Sequence, residues 1–335
     1  MAPTRAQRRL LEIAQGFRIA AVLIAVAEFG IARHLATHPL STEELARAVG
    51  ADARAVGRLL RAAAALGMVL ETENGWVLTP DAAETLVPES PSSLARYLEA
   101  QAAFYRRWGL LTETVRSGHA LEASRREEES ASWVRRFTLM LYEIARTTSD
   151  DIAAALLPIL TGRPHPRLLD LGGGHGEFAM ALARIHPTLE GTIFDLPPVI
   201  EVARELVEQN GLADRIRLRA GDFFQDPLGD SYDLVLVFGV LNGMDEGRAQ
   251  RLLALVHQAL APGGWVAIRA TPPDPSPADR LQHALMDLQM LLATDSGHAP
   301  TAEELEGWLR STGYVDLHWR RTPDASVAVL LGRRH

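Results

Sequence analysis

Leu168-Leu169-Asp170-Leu171-Gly172-Gly173-Gly174-His175-Gly176 is the stretch on which the reading of this chain turns. An apolar run closed by an aspartate reads as a buried strand. The glycines behind it let the backbone pass close to a bound ligand before a helix begins. An acid ahead of the glycines suits a ligand with a cationic amino group. The dinucleotide fingerprint would need glycines at the first, third and sixth positions; counted from Gly172 the sixth is Glu177, so that fingerprint fails. Taken alone, the stretch also fits a plain tight turn.

Moving outward, strands are expected at Arg167–Leu171, Gly191–Phe194, Ile216–Ala220, Tyr232–Phe238 and Gly264–Ala270, with two more at Val315–Trp319 and Ser326–Leu331. Helices fall between most of them, among them Glu177–Ile185, Val199–Gln209 and Glu246–Leu260. This is a doubly wound α/β pattern of seven strands, the last two closing the sheet as a hairpin, and ligands of such sheets bind beyond the carboxyl ends of the strands. Two further acids stand at those ends. Asp195 follows the second strand at the spacing of a ribose-hydroxyl acceptor. Asp222, in Gly221-Asp222-Phe223-Phe224, follows the third, where it would accept from an adenine amino group while Phe223 packs on the ring. One acid after a strand is commonly a turn or helix cap; three in register at consecutive strand ends point to one nucleoside-like ligand.

The first third reads as helices. Phe17–Phe29 is apolar on nearly every side, which a lone surface helix does not tolerate, so it is expected inside a large core or between two copies of the chain. Ser41 followed by Glu44 forms a capping box, and Ala53–Leu66 carries Val56, Leu59, Leu60 and Ala63 at helical spacing. Asn74-Gly75 between two apolar runs signals a hairpin. Helix, helix and hairpin in that order make a winged-helix-like unit. The region Ser92–Leu160 is again helical and rich in large side chains, except for the polar interval Gly118–Ser130. The expected domains are therefore 1–98 and 99–335, with 99–162 a helical linker on the substrate side.

Composition narrows the function classes. The 335 residues exceed a usual single core, and 47% hydrophobic with 23% charged residues is ordinary for a soluble protein. A net charge of −8 argues against a protein built to grip nucleic-acid phosphates. With no cysteine there are no disulfides and no thiolate chemistry, which fits a cytoplasmic protein. The most apolar stretch, Ile19–Ile31, is too short to span a bilayer and Glu28 interrupts it, so no membrane partner is expected. No His or carboxylate spacing makes a metal site.

The series DLGGGHG, FDLPPVI (Phe194–Ile200), GDFF and LAPGG (Leu260–Gly264) resembles the class I S-adenosylmethionine (SAM)-dependent methyltransferases. More narrowly it is similar to the two-domain small-molecule O-methyltransferases, whose plant members methylate phenolics and whose bacterial members decorate pigments and antibiotics. STEELARAVGADARAVGRLLRAAAALGMV and the LTP at Leu78–Pro80 resemble that family's dimerisation domain, so the likeness runs over roughly Leu11–Leu331. It implies a Rossmann-like methyltransferase sheet behind a mainly α, winged-helix-like dimerisation domain, and a homodimer. It further implies SAM as cofactor, S-adenosylhomocysteine (SAH) as product, and a small, ring-containing acceptor. On this reading Asp170, Gly172, Gly174, Gly176, Asp195, Leu196, Asp222, Phe223 and Phe238 hold the cofactor. Trp133, Phe137, Met140, Asn242, Asp287 and Met290 face the acceptor.

One departure stands out. Many O-methylating relatives carry His-Asp-Trp after the fourth strand, the histidine acting as base. The matching segment here is Val240-Leu241-Asn242-Gly243-Met244-Asp245-Glu246, with Asn242 in the histidine's place. Two acidic helpers of plant relatives correspond approximately to Thr271 and Ala299. Asparagine orients an acceptor but takes no proton near neutral pH. Three routes remain: an acceptor that needs no base, another base (His283, His298 or Asp245), or a non-methylating reaction on the same cofactor. A DNA-binding regulator is the rival from another class, because Arg54, Arg58 and Arg61 line one face of the second helix of the winged unit; Glu43, Glu44 and Asp52 dilute that field.

Overall fold

The computed structural model describes residues 3–122, 131–295, 297–322 and 327–335. The chain divides into two compact units, Met1–Arg106 and Arg107–His335.

In the first unit, helices Ile31–Leu35, Thr42–Ala48 and Ala53–Ala65 and the hairpin β1 (Val69–Thr72) and β2 (Gly75–Leu78) enclose a small core. Ile31, Leu35, Leu45, Val56, Leu60 and Trp76 form it. The capping box is present: the Glu44 N–H donates to Ser41 Oγ at 3.2 Å and the Ser41 N–H to Glu44 Oε2 at 2.8 Å. Asp52 caps the next helix through the Ala55 N–H at 2.9 Å. The hairpin needs one correction. Thr72 pairs with Gly75, so the two turn residues are Glu73 and Asn74. Gly75 opens β2 instead, at φ +114°, where a Cβ would lie 2.6 Å from the Leu40 backbone; both its conformation after the turn and the close approach of the Leu40–Trp76 bridge demand glycine there.

The first helix runs from Arg5 to Glu28, well beyond the expected start at Phe17. Thr4 and Gln7 form a capping box at its beginning, a signal lying outside the apolar stretch. By length and composition these 24 residues suffice to cross a membrane, which corrects the shorter span read from Ile19–Ile31. Within the unit only Ile24 and Val26 of this helix are buried, while Leu10, Leu11, Ile13, Phe17 and Ile19 are each more than half exposed. Its apolar surface is thus not covered by the unit's own core.

The second unit is built on a seven-stranded sheet of order β5-β4-β3-β6-β7-β9-β8. Its strands are β3 (Arg167–Leu171), β4 (Glu190–Asp195), β5 (Ile216–Ala220), β6 (Tyr232–Leu236), β7 (Leu260–Arg269), β8 (Tyr314–Arg321) and β9 (Ala328–Arg334). β3 to β7 are parallel; β9 runs antiparallel to both β7 and β8. Two cores sandwich the sheet. One gathers Leu168, Ile193, Leu236 and Ala267 with Phe178, Met180 and Leu182 of helix Glu177–Ile185. The other gathers Leu169, Phe194, Val235 and Val266 with Leu252, Val256 and Trp308. The chain runs from β3 outward to β5, then returns to β6 on the other side of β3. The strand order reverses there, and a crevice opens at the carboxyl ends of β3 and β6.

Several strand ends differ from expectation. β6 stops at Leu236, leaving Phe238 in the following loop, and β7 begins at Leu260 because a register shift lets Tyr232 pair with Leu260. Part of the polar interval Gly118–Ser130, residues 123–130, lies outside the described residues, as does Ser326, the expected start of the last strand.

Candidate active site

The glycine loop opens directly from β3, and Asp170 sits beneath it. The Asp170 side chain is buried, and its Oδ2 has no hydrogen-bond partner. Burial pushes this carboxyl up to about 7, opposed by the Ala179 N–H and reinforced by the charge of Asp195. A Cβ at Gly173 would lie 2.6 Å from Asp170 Cγ, so only glycine lets the loop fold over the carboxylate. Asp195 completes the cradle: its Oδ2 accepts from the Gly174 N–H at 2.8 Å and its Oδ1 from the Leu196 N–H at 2.7 Å. Burial raises the Asp195 carboxyl too, against those two N–H donors. Leu196 itself is an exposed N-cap residue of helix Pro197–Gln209.

The three acids are not level, which corrects the in-register expectation. Asp170 pairs with Ile193, Asp195 lies two residues further along and pairs with Ala220, and Asp222 lies two residues beyond that. Each step conserves the face of the sheet, so the acids descend as a staircase across three strands. Strand rise and spacing give a span of roughly 16 Å from Asp170 to Asp222. That accommodates an extended ligand with an amino group at one end and a base at the other. Asp222 is half-buried and already used by its own turn: Oδ1 accepts from the Phe224 N–H at 2.8 Å and Oδ2 from Gln225 Nε2 at 2.7 Å. Those bonds hold its carboxyl below the ordinary value. Phe223 stands edge-on to Phe224 at 4.9 Å.

From His175 in the loop, aromatic rings run on as a row. Phe238 meets Phe178 edge-on at 5.0 Å, Phe178 lies 5.7 Å from His175, and His175 lies 6.1 Å from Tyr142. His175 is a helix cap here: its Nδ1 accepts from the Glu177 N–H at 3.0 Å, and burial drives it down to about 3, so it is neutral.

On the β6 side, Asn242 is half-buried and its amide makes no hydrogen bond with any described residue. The loop after helix Pro277–Ala293 packs on this segment backbone to backbone: a Cβ on Gly297 would lie 2.2 Å from Gly243 Cα. Thr294 Oγ1 accepts from the Gly297 N–H at 2.9 Å, and Asp287 Oδ1 accepts from the Ala299 N–H at 3.0 Å. Asp287 therefore braces the loop that flanks Asn242. Met290 holds the other end of the turn through its carbonyl, which accepts from Thr294. Of the candidate bases, Asp245 is an exposed N-cap bonded to the Arg248 N–H at 2.9 Å. His283 Nδ1 lies 3.2 Å from Thr271 Oγ1. His298 Nε2 lies 3.3 Å from Glu304 Oε1, with its ring edge-on to Trp308. Trp133 stacks on Phe137 at 5.8 Å; Trp133 and Met140 are buried. Among the described residues no group of three or more His, Asp or Glu side chains is placed to hold a metal.

Two features escaped the sequence. Glu177 is buried at the head of its helix, between Ser149 Oγ at 2.8 Å and Arg184 at 2.6 Å. Arg269 ends β7 without a hydrogen bond or ion pair to any described residue, and its charge reaches His175. Neither the spacing nor the residue type announces them.

A doubly wound sheet with an acid beneath a glycine loop, a second acid bound to that loop and a third at the next strand defines a nucleoside-binding enzyme of the methyltransferase kind. The family model described as the O-methyltransferase domain matches residues 119–315, and that of the O-methyltransferase dimerisation domain matches residues 11–103. The chain belongs to this O-methyltransferase family, and SAM is its cofactor. Among curated proteins it is similar to 3-hydroxy-5-methyl-1-naphthoate 3-O-methyltransferase of Streptomyces sahachiroi, 32% identical over 96% of this chain and 93% of that one. Among solved structures it is similar to human N-acetylserotonin methyltransferase in complex with SAM, with TM-score 0.86 and 27% identity over 99% of each chain. A third likeness is to N,N-8-amino-8-demethyl-D-riboflavin dimethyltransferase of Streptomyces davawensis, with TM-score 0.81 and 27% identity over 99% of this chain and 100% of that one.

The residues present fit the cofactor. The orphaned Asp170 oxygen suits an ammonium, and Asp195 lies where ribose hydroxyls would exchange for its loop contacts.

Proposed function

We propose that this enzyme methylates a hydroxyl group on a fused-ring aromatic acceptor, with Asn242 orienting that hydroxyl and His298 receiving its proton. The bound cofactor supplies an electrophilic methyl group on a sulfonium. Asp170 would hold the ammonium end, Asp195 the ribose and Asp222 with Phe223 the base. Trp133, Phe137, Met140 and Met290 are assigned to the apolar wall around the acceptor ring.

The observation that carries this reading is the unpartnered Asn242 amide beside the Gly243–Gly297 contact. Through that contact His298 follows directly on the residue packed against Asn242's neighbour. It alone of the three candidate bases has a carboxylate partner, Glu304, to orient its ring. The fused ring is suggested by the naphthoate of the Streptomyces sahachiroi relative.

The riboflavin-type relative, whose name specifies an amino group, favours a second reading in which the acceptor is an amine that needs no base. Substituting His298→Gln and Asn242→Ala separates the two. On the hydroxyl reading His298→Gln lowers kcat by about 10²-fold or more, and Asn242→Ala raises KM, while SAH affinity stays within twofold in both. Full turnover in His298→Gln removes the histidine from the mechanism and leaves the amine reading.

The same proposal takes the chain as a cytoplasmic homodimer that works without nucleic acid or membrane. The uncovered apolar face of Arg5–Glu28 lies largely within the matched dimerisation domain, and a second copy would bury it.

A further inference from the structure

We infer that Arg269 is an anion-binding residue of the acceptor site and selects acceptors that carry a carboxylate. The inference rests on the methyl-transfer reading of the crevice and adds to it the chemistry of the acceptor.

Arg269 is the last residue of β7. Ala267, two residues before it, pairs with Leu236 of β6, and both belong to the core on the side of helix Glu177–Ile185. Alternation along β7 puts Arg269 on that same face, one step beyond the Ala267–Leu236 pair, and Phe238, just past the end of β6, packs against the same core. Asp170 pairs with Leu236 from the other side. Arg269 is therefore two strands across from Asp170 and one step further out, at the mouth of the crevice. Its side chain is open to solvent, yet enough protein surrounds the guanidinium that burial holds it below its ordinary value.

No described carboxylate answers this charge. Three other arginines on or beside this sheet do form ion pairs: Arg163 with Asp233, Arg321 with Asp274 and Arg333 with Asp316. The neighbour that Arg269 does influence is His175, which is neutral and bonded to its own helix. A partly desolvated guanidinium without a partner is unfavourable, and its planar fork of donors matches a carboxylate. A ligand in the crevice would bring that carboxylate.

Two ligands could supply it: the acceptor, or the amino-acid end of the cofactor. The cofactor's carboxylate shares a carbon with the ammonium assigned to Asp170, whereas Arg269 stands two strand spacings away, roughly 10 Å. Asn242, assigned to the acceptor, follows β6, the strand beside β7. The position favours the acceptor.

The test uses calorimetry with SAH bound, so that no turnover is needed. The probes are hydroxyaryl carboxylates of one, two and three fused rings, each matched with its carboxamide. The wild-type protein is expected to prefer at least one carboxylate over its amide by about tenfold, the worth of a charge-assisted pair. Arg269→Gln is expected to abolish that preference, leaving amide binding and SAH affinity within twofold, and Arg269→Lys to restore part of it. A wild-type protein without any carboxylate preference, or a preference that survives in Arg269→Gln, overturns the inference. So does a large loss of SAH affinity in Arg269→Gln with acceptor preference intact, which would hand the residue to the cofactor. Failure of methyl transfer with carboxylate preference intact would refute the proposed reaction and leave Arg269 its role.

Discussion

Replacing Asp170 by Asn should make the cofactor-free protein more stable above neutral pH and nearly eliminate cofactor binding. Burial lifts the Asp170 carboxyl from an ordinary 3.8 to about 7, with the Ala179 N–H opposing and the Asp195 charge reinforcing. In the unfolded chain this group has released its proton by pH 5; in the folded chain it still holds it. The native state binds more protons over that window, so stability falls as pH rises from about 4 to about 7 and the whole penalty is present above it. At about 1.4 kcal/mol for each pH unit between those values, the penalty reaches about 4 kcal/mol as an upper bound. Asparagine has the same shape and no charge to bury.

Thermal unfolding of the SAH-free protein at pH 4.5 and pH 8 measures this directly. Wild type and Asp170→Asn should melt close together at pH 4.5. At pH 8 the variant should melt higher by several degrees, at roughly 2–4 °C per kcal/mol for a domain of this size. Calorimetry with SAH should show the opposite sign. The variant loses the charge that answers the ligand's ammonium, costing about a hundredfold or more in affinity. In wild type, affinity should fall by up to about tenfold for each pH unit below about 7, because the carboxyl must first release its proton; in the variant that dependence disappears. A variant less stable than wild type at pH 8, or one that binds SAH as tightly, refutes the assignment of a strained, ligand-seeking carboxylate to Asp170.

Two further expectations follow from contacts. Gly173→Ala places a Cβ 2.6 Å from Asp170 Cγ and 2.9 Å from the Asp170 carbonyl, so it should lower stability by about 1–3 kcal/mol and weaken SAH binding at least tenfold; unaltered binding in calorimetry would show that the loop does not close over Asp170. Phe17→Asp puts a charge on the uncovered face of the first helix, so sedimentation velocity should find the wild type dimeric and the variant shifted toward monomer, with a sedimentation coefficient unchanged by the substitution counting against burial of that face between copies.

What could be read in advance was local. The capping box at Ser41 and Glu44, the strands Arg167–Leu171 and Ile216–Ala220, and the helix Glu177–Ile185 are each written in a few neighbouring residues, and the structure has them as expected. The start of the first helix lies outside the expected bounds because its cap, Thr4 with Gln7, precedes a stretch in which arginines and leucines sit side by side and blur the helical pattern. At Gly75 the sequence shows only the turn, because the bridge from Leu40 that also requires glycine comes from a residue 35 positions away. The same distinction governs the site. Asp170, Asp195 and Asp222 can be found one by one, since each follows a strand, but their staircase exists only once the register of three parallel strands is fixed.

Non-local placement also explains why the chemistry on the β6 side was harder to read than the cofactor cradle. The cradle is one loop plus two strand ends, and its acids announce themselves by sitting where apolar residues or turn formers would otherwise stand. On the β6 side the partners come from separate elements: Gly243 meets Gly297, Asp287 braces Ala299, and Glu304 reaches back to His298. None of these pairs leaves a periodic trace. Arg269 is the extreme case, because an arginine closing a strand is unremarkable in sequence. Its meaning lies in what does not neutralise it, and that requires knowing every carboxylate within reach. A guanidinium with no described carboxylate beside it, near the buried acids Asp170 and Asp195, asks for an anion as Asp170 asks for a cation. A cationic methyl donor and the anionic ring proposed for the acceptor would satisfy both demands.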